Sequence, residues 1–317
     1  MSPFGVPTSA IMPLVPSLIL FVAGCVLLTL GLIAPERRGE RRALVLGLAG
    51  LVASGVAAFR IASVSGAVGA HTLAASPIGA VVFDPFAAFL HIVILLAAAV
   101  SLFLSGPFLR RTNEYHAEFP SLLLFAASGM SLFVATTDLL MLFLALELLS
   151  LPIYVLAGYQ RALPRSNEAA LKYFVLGAFS SALFLYGIAL VYGATGHANL
   201  ALLAPLPNTG HLLPVGLVFL LSGFLFKIAA VPFHMWTPDV YEGAPTPVTA
   251  FMSTGTKTAA MGAFLIVFTG AAQGLVSDWR VLIGAIATAS MVVGNIGALM
   301  QSSVKRMLAW SSVAQAG

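Results

Sequence analysis

Four ionisable side chains stand inside stretches that are otherwise apolar: Glu147 in "DLLMLFLALELLSLPIYVLAGY", Lys172, Lys227 in "SGFLFKIAAVPFHMW", and Lys257. Glu147 lies nine residues past Asp138 and Lys257 ten past Pro247, so each sits ~14–15 Å along its helix, near the middle of a hydrocarbon core ~30 Å thick. A charge at such a depth costs roughly 2.5–3.5 kcal/mol on insertion scales. It persists by being neutral, paired or wetted, and each of these states is what a proton path is made from. Burial makes a Lys give up its proton more easily and a neighbouring carboxylate restores the charge, so moving the carboxylate switches the Lys between two states.

Pro232 adds a second polar device. It donates no bond to the carbonyl of Ile228, so a backbone acceptor is expected one residue past Lys227, and the helix that carries both should be discontinuous. Irregular backbone at membrane depth is tolerated where protein buries it or where it lines a wet cavity. His234, two residues further on, is either a satisfied core histidine or a relay between the Lys and the cytoplasmic side. Lys172, four residues after Glu168 at a span's start, could simply snorkel to the interface. A structural ion pair is the plain alternative for Glu147, Lys227 and Lys257. His71, His116, His197 and His211 fall in loops and are expected at the surface, whereas His91 lies in an apolar span and is open to either role. Asp84 in "FDPF" is expected to cap a helix. The spacing from Gly177 to Ser181 suits helix packing.

The elements that must hold these groups are transmembrane. Charged residues are 8% and hydrophobic residues 60% of the 317, against roughly 25% and 45–50% in soluble domains. Apolar runs cover 14–34, 43–65, 85–109, 120–137, 139–159, 168–193, 214–235, 248–271 and 280–302, and a tenth begins near Met307. The fold class is therefore all-α, a polytopic transmembrane helix bundle in a lipid bilayer, with the chemistry inside the membrane. No Lys or Arg precedes the first run, so it is read as a retained helix rather than a secretory leader. Placing the loop with Arg37, Arg38, Arg41 and Arg42 in the cytoplasm also puts Arg110, Arg111, Arg161, Arg165, Lys305 and Arg306 inside, and leaves only Arg60 and Arg280 outside. The N-terminus is then external. The single Cys25 excludes an internal disulfide framework or a multi-cysteine metal site. No metal-ligand spacing, Walker loop or dinucleotide fingerprint occurs, and nothing supports nucleic-acid binding.

Four segments carry a family likeness: "ELLSLPIYVLAGYQR", "SNEAALKYFVLGAFSSALFLYGIALVYGATG", "FKIAAVPFHMWTPDVYEGAPTPVTAFMSTGTKTA" and "VKRMLAWSS". From about residue 120 onward the sequence closely resembles the N-subunit family of proton-pumping NADH-quinone oxidoreductase, respiratory complex I, while the first hundred residues match only in hydropathy. That family resembles cation/proton antiporters and has two inverted five-helix repeats, each with one discontinuous helix. The resemblance implies that Glu147 and Lys227 are its coupled fifth- and seventh-helix pair, Lys172 its sixth-helix lysine, Lys257 its central eighth-helix lysine, and Pro232 the mark of the first broken helix. It implies three N-terminal transmembrane helices in 1–119, a first repeat in 120–275, and the start of a second in 276–317. Helices eleven to fourteen are absent, which is expected of a fragment or of an incomplete outward path. Where relatives often carry His, this sequence has Gln315.

The leading expectation is thus a proton-translocating membrane subunit of an NADH-quinone oxidoreductase in a bacterial inner membrane. It holds no redox cofactor itself; NADH, flavin, iron–sulfur clusters and quinone belong to partner subunits, both membrane and peripheral. Two other readings remain: a subunit of a stand-alone cation/proton antiporter with the same lysines and no redox partner, and a structural membrane scaffold whose charges only fix helix packing.

Overall fold

In the computed structural model the described residues are 11–33, 36–67, 80–112, 114, 118–203, 211–271 and 276–317. His71 and His116 lie outside them. Each predicted span has a helical counterpart, and among the described residues seven helices are long and apolar enough to cross a membrane. A 3₁₀ turn leads into α1 (Val15–Ile33), followed by α2 (Glu36–Ala67), α3 (Pro85–Thr112), α4 (Glu118–Phe133), α5 (Leu139–Ala157) and α6 (Pro164–Thr195). After a short turn of helix at Leu200–Leu203 come α7 (Leu212–Ile228), α8 (Thr237–Gly243), α9 (Thr246–Phe251), α10 (Lys257–Leu265), α11 (Val276–Leu299) and α12 (Val304–Ala316). Side chains such as Leu96, Phe103, Leu171, Phe179 and Val281 are exposed although they are as apolar as the buried ones. A chain whose solvent is lipid shows this pattern.

Helix ends and membrane boundaries part company. The arginine-rich stretch expected as a loop is the first turns of α2, and α3 runs through Arg110 and Arg111 to Thr112. Arg and Glu are good helix formers, so charge marks where lipid stops without stopping the helix. Asp84 behaves as expected, its Oδ1 accepting the Ala87 N–H at 2.7 Å at the start of α3. Asp138 does the same for α5, accepting from Leu140 and Met141.

The chain forms two compact units: residues 1–156 with 250–263, and residues 157–249 with 264–317. In the first, α1 packs on α4 and α2, α2 on α3, and α3 on α4. Buried hydroxyls tie these helices together: Ser128 donates to the Ser17 carbonyl (2.8 Å), and Ser54 donates to the Pro16 carbonyl (2.7 Å) while accepting from His91 Nε2 (3.0 Å). His91 is fully buried, its ring edge-on to Phe83, and so serves the core. His197 and His211 are exposed. In the second unit α6 packs along α7 and against α8, while α12 packs against α8 and α11. Gly187, Gly216 and Gly223 let the α6 and α7 backbones meet; a Cβ on Gly187 would lie 2.7 Å from the Leu220 nitrogen.

Candidate functional site

In the second unit, Lys227 is 2% exposed and stands in the last turn of α7. Its Nζ lies 5.6 Å from the centroid of the Tyr173 ring and 5.8 Å from that of Phe226. Trp236 closes the group, stacking on Tyr173 with centroids 4.6 Å apart and tilting over Phe226 at 5.3 Å. Two features make a cation tolerable here. Aromatic faces present negative charge density, and the C-terminal end of a helix carries the negative pole of its dipole. That helix end exists because α7 breaks beside the lysine.

The break does not begin where the proline stands. α7 stops at Ile228, and Ala229 turns into the left-handed region with φ 62°. The Ala229 and Ala230 N–H groups donate back to the carbonyls of Phe226 and Leu225, and Trp236 Nε1 adds a third bond, to the Phe226 carbonyl at 3.1 Å. The acceptors engaged at the helix end are therefore Leu225 and Phe226. Beyond the break the Val231 N–H donates to Ser290 Oγ of α11 (2.9 Å), and that hydroxyl donates to the Ile286 carbonyl. The chain re-enters helix at Thr237. Half-buried His234 lies just before it, its ring 5.4 Å from that of Trp310.

Lys172 is not buried. Its side chain is 40% exposed, and its Nζ bonds Glu168 and Asp239, each at 2.6 Å. Asp239, on α8, also accepts from Arg306 of α12 at 2.8 Å, and Arg306 reaches Glu242 at 3.1 Å. Lys305 donates to the carbonyls of Glu242 and Ala244. This network joins α6, α8 and α12 around a polar cavity of about 230 Å³ whose lining includes Arg165, Glu168, Asp239, Glu242 and Arg306. Burial pushes the Asp239 carboxyl up, but bonds from Lys172 and Arg306 outweigh it and hold the group below its ordinary value. Solvent screens partly exposed pairs of this kind, so each adds little stability by itself. Tyr173 is the chain neighbour of Lys172, so α6 carries the ion network on one residue and the aromatic wall of Lys227 on the next. Asp239 does not stand out in the sequence and Arg306 does so only as a loop cation; the four acids and bases in "TPDVYEG" and "VKR" are the available signal, but their pairing across 67 residues has none.

The first unit carries Glu147 and Lys257, each beside a backbone irregularity. Pro152 stands within α5 and cannot donate to the Leu148 carbonyl, which leaves an acceptor one residue from Glu147. Glu147 Oε1 is buried and has no hydrogen-bond partner among the described residues. The backbone of α5 is approached closely at this level, since a Cβ on Gly129 of α4 would meet the backbone of Leu148 and Leu149. Lys257, half-buried, directly follows a π-helical segment, Met252–Thr256. Single wide turns of this type are frequent at functional sites. Ser253 and Thr254 both donate to the Ala250 carbonyl, at 3.0 and 2.8 Å, supplying bonds that the wide turn gives up. Thr256 Oγ1 is buried without a partner among the described residues. No group of three His, Cys, Asp or Glu suited to a metal ion occurs among the described residues.

Comparison with known proteins matches this architecture. The chain is 45% identical over 309 residues to a protein named NADH-quinone oxidoreductase subunit N from Trichlorobacter lovleyi, covering 96% of this chain and 62% of that one. It superposes on a chain of respiratory complex I from Thermus thermophilus with a TM-score of 0.76 at 38% identity, covering 95% of this chain and 62% of the other. A chain of the Mrp complex from a Dietzia species shares the fold, with a TM-score of 0.79 at 22% identity, covering 98% of this chain and 58% of that one. The chain thus spans a little over three fifths of the length of the curated relatives it matches. Residues 135–317 match the family described as "NADH:quinone oxidoreductase/Mrp antiporter, TM", and the chain, a multi-pass integral membrane protein, belongs to that family.

Proposed function

We propose that the chain is a proton-translocating membrane subunit of an NADH-quinone oxidoreductase, equivalent to subunit N. The observation that carries this reading is a lysine buried to 2% exposure at the end of a broken transmembrane helix, in a sequence so close to proteins of that name. Protons move through Glu147, Lys227, Lys257 and water, with Lys172 and His234 toward the cytoplasmic side and Pro232 in the break. NADH, flavin, iron–sulfur clusters and quinone belong to partner subunits, both membrane and peripheral. The chain's parts are three N-terminal helices in 1–119, a five-helix repeat in 120–275, and the first part of a second repeat in 276–317.

Lys257→Met keeps the length of the side chain and removes its titratable amine. In membranes containing normal amounts of assembled complex, this variant should pump protons at a small fraction of the wild-type rate. Wild-type pumping would make Lys257 a packing residue and sink its relay role.

The chain is placed in a bacterial inner membrane, and the loop charge bias of ten against two supports an orientation with the N-terminus outside. A cysteine replacing the exposed Thr246 should then react with impermeant reagent only from the cytoplasmic face. Labelling from the other face would reverse the orientation.

A further inference from the structure

The outer face of α1 and α2 carries a groove that the proton path does not use. Its volume is about 400 Å³, and it is lined by Leu18, Val22, Ala23 and Val26 of α1 with Leu46 and Gly50 of α2. Leu18, Val22, Val26 and Leu46 are exposed. The two helices run antiparallel, since Gly50 meets Ala23 and Gly47 meets Leu27. The groove's Leu46 end therefore leads toward the start of α2. Gly50, Leu46 and Arg42 follow one another at four-residue spacing, so they form one ridge of the helix. Arg42 thus stands one turn, ~6 Å, beyond the last groove residue of α2. Arg41 and Arg42 are both exposed and open the apolar span Arg41–Ser63, and cations at the end of such a span are expected at headgroup level. The sequence adds Arg37 and Arg38 just before them, with Glu36 and Glu40 the only acids in the stretch.

We propose that this groove is a binding site for one anionic phospholipid, an acyl chain lying along Leu18, Val22 and Val26 and the phosphate held by Arg42 with Arg41. A purely apolar groove recognises a chain and rejects nothing else in a bilayer. Two guanidinium groups at one end supply the discrimination, because they pair with phosphate oxygens in a bidentate manner that a zwitterionic headgroup partly neutralises. The site is independent of the proton path, and its test does not depend on pumping.

The purified chain in neutral detergent would be incubated with dioleoyl phosphatidylglycerol or dioleoyl phosphatidylcholine and its bound lipids counted by native mass spectrometry. One phosphatidylglycerol per chain should be retained in preference to phosphatidylcholine. Arg41→Gln with Arg42→Gln should lower phosphatidylglycerol affinity by about fivefold for each arginine and bring it to the phosphatidylcholine level. Val22→Phe, which adds bulk at an exposed position in the groove, should weaken both lipids while circular dichroism shows unchanged helix content. Equal retention of the two lipids by the wild type would overturn the proposal, as would selectivity that survives the double arginine variant or binding that Val22→Phe leaves intact. A dimer in the wild-type spectrum that Val22→Phe abolishes would assign the groove to a second copy of the chain instead.

Discussion

Lys227→Ala and Glu147→Gln should each cut proton pumping about tenfold or more, and the double variant should be little worse than either single one. The two residues are proposed to act as one unit, the carboxylate holding the lysine protonated, so that losing either disables both. The magnitude follows from the work involved. Moving one charge across 100 mV requires ~2.3 kcal/mol, and a coupling of a few kcal/mol between the groups is the size needed to influence that step, each ~1.4 kcal/mol being a factor of ten. Glu147→Asp, with the charge kept on a shorter stem, should retain part of the activity. Proton pumping by inverted vesicles, normalised to assembled complex, is the measurement. Losses that multiply in the double variant would show two independent residues and end the coupled-pair reading, even with both residues essential.

Gly187→Val should remove most of the folded chain from the membrane. A Cβ at Gly187 would stand 2.7 Å from the Leu220 nitrogen, 2.9 Å from the Gly216 carbonyl oxygen and 3.0 Å from the Phe219 Cβ. Two of these neighbours are backbone atoms of α7, so relief requires the helices to separate. Overpacking a tight interface costs typically 1–3 kcal/mol, and more where backbone must move. Because α7 carries Lys227 and α6 carries Tyr173, separation would also open the aromatic wall around the lysine. Gly193→Ala on the same helix is the control: its Cβ would find only Leu212 Cδ2, at an ordinary 3.7 Å. The amount of chain surviving detergent extraction and its thermal midpoint should fall for Gly187→Val and stay level for Gly193→Ala. Equal behaviour of the two variants would show that the close approach is not needed.

Much of the fold was legible because lipid imposes a simple rule: apolar runs become helices. The break in the seventh span was legible too, but its position was not. Proline marks where an N–H is missing, whereas the helix ended four residues earlier, where Ala229 takes a positive φ and Trp236 reaches the Phe226 carbonyl. Nothing local at Ala229 announces that choice; the contact that rewards it joins Phe226 to Trp236, ten residues apart. The buried charges could be found one by one, as intrusions into apolar sequence. Their surroundings could not. That Lys172 belongs with Asp239 and Arg306, half exposed, while Lys227 lies under Tyr173 depends on how α6, α8 and α12 pack. Apolar periodicity says little about such packing when every face of a helix is apolar.

The π-helical segment before Lys257 has a consequence for how the sequence is counted. A wide turn holds one residue more than an ordinary helix uses over the same rise, and one residue is ~100° of rotation. The bearing of Lys257 relative to everything before Met252 is therefore fixed by the number of residues in Met252–Thr256 as much as by their identity. A chain one residue shorter there could still be helical throughout, with all its side chains intact, and yet turn its lysine by more than a quarter of a circle. At this point of the molecule, length is the coded quantity.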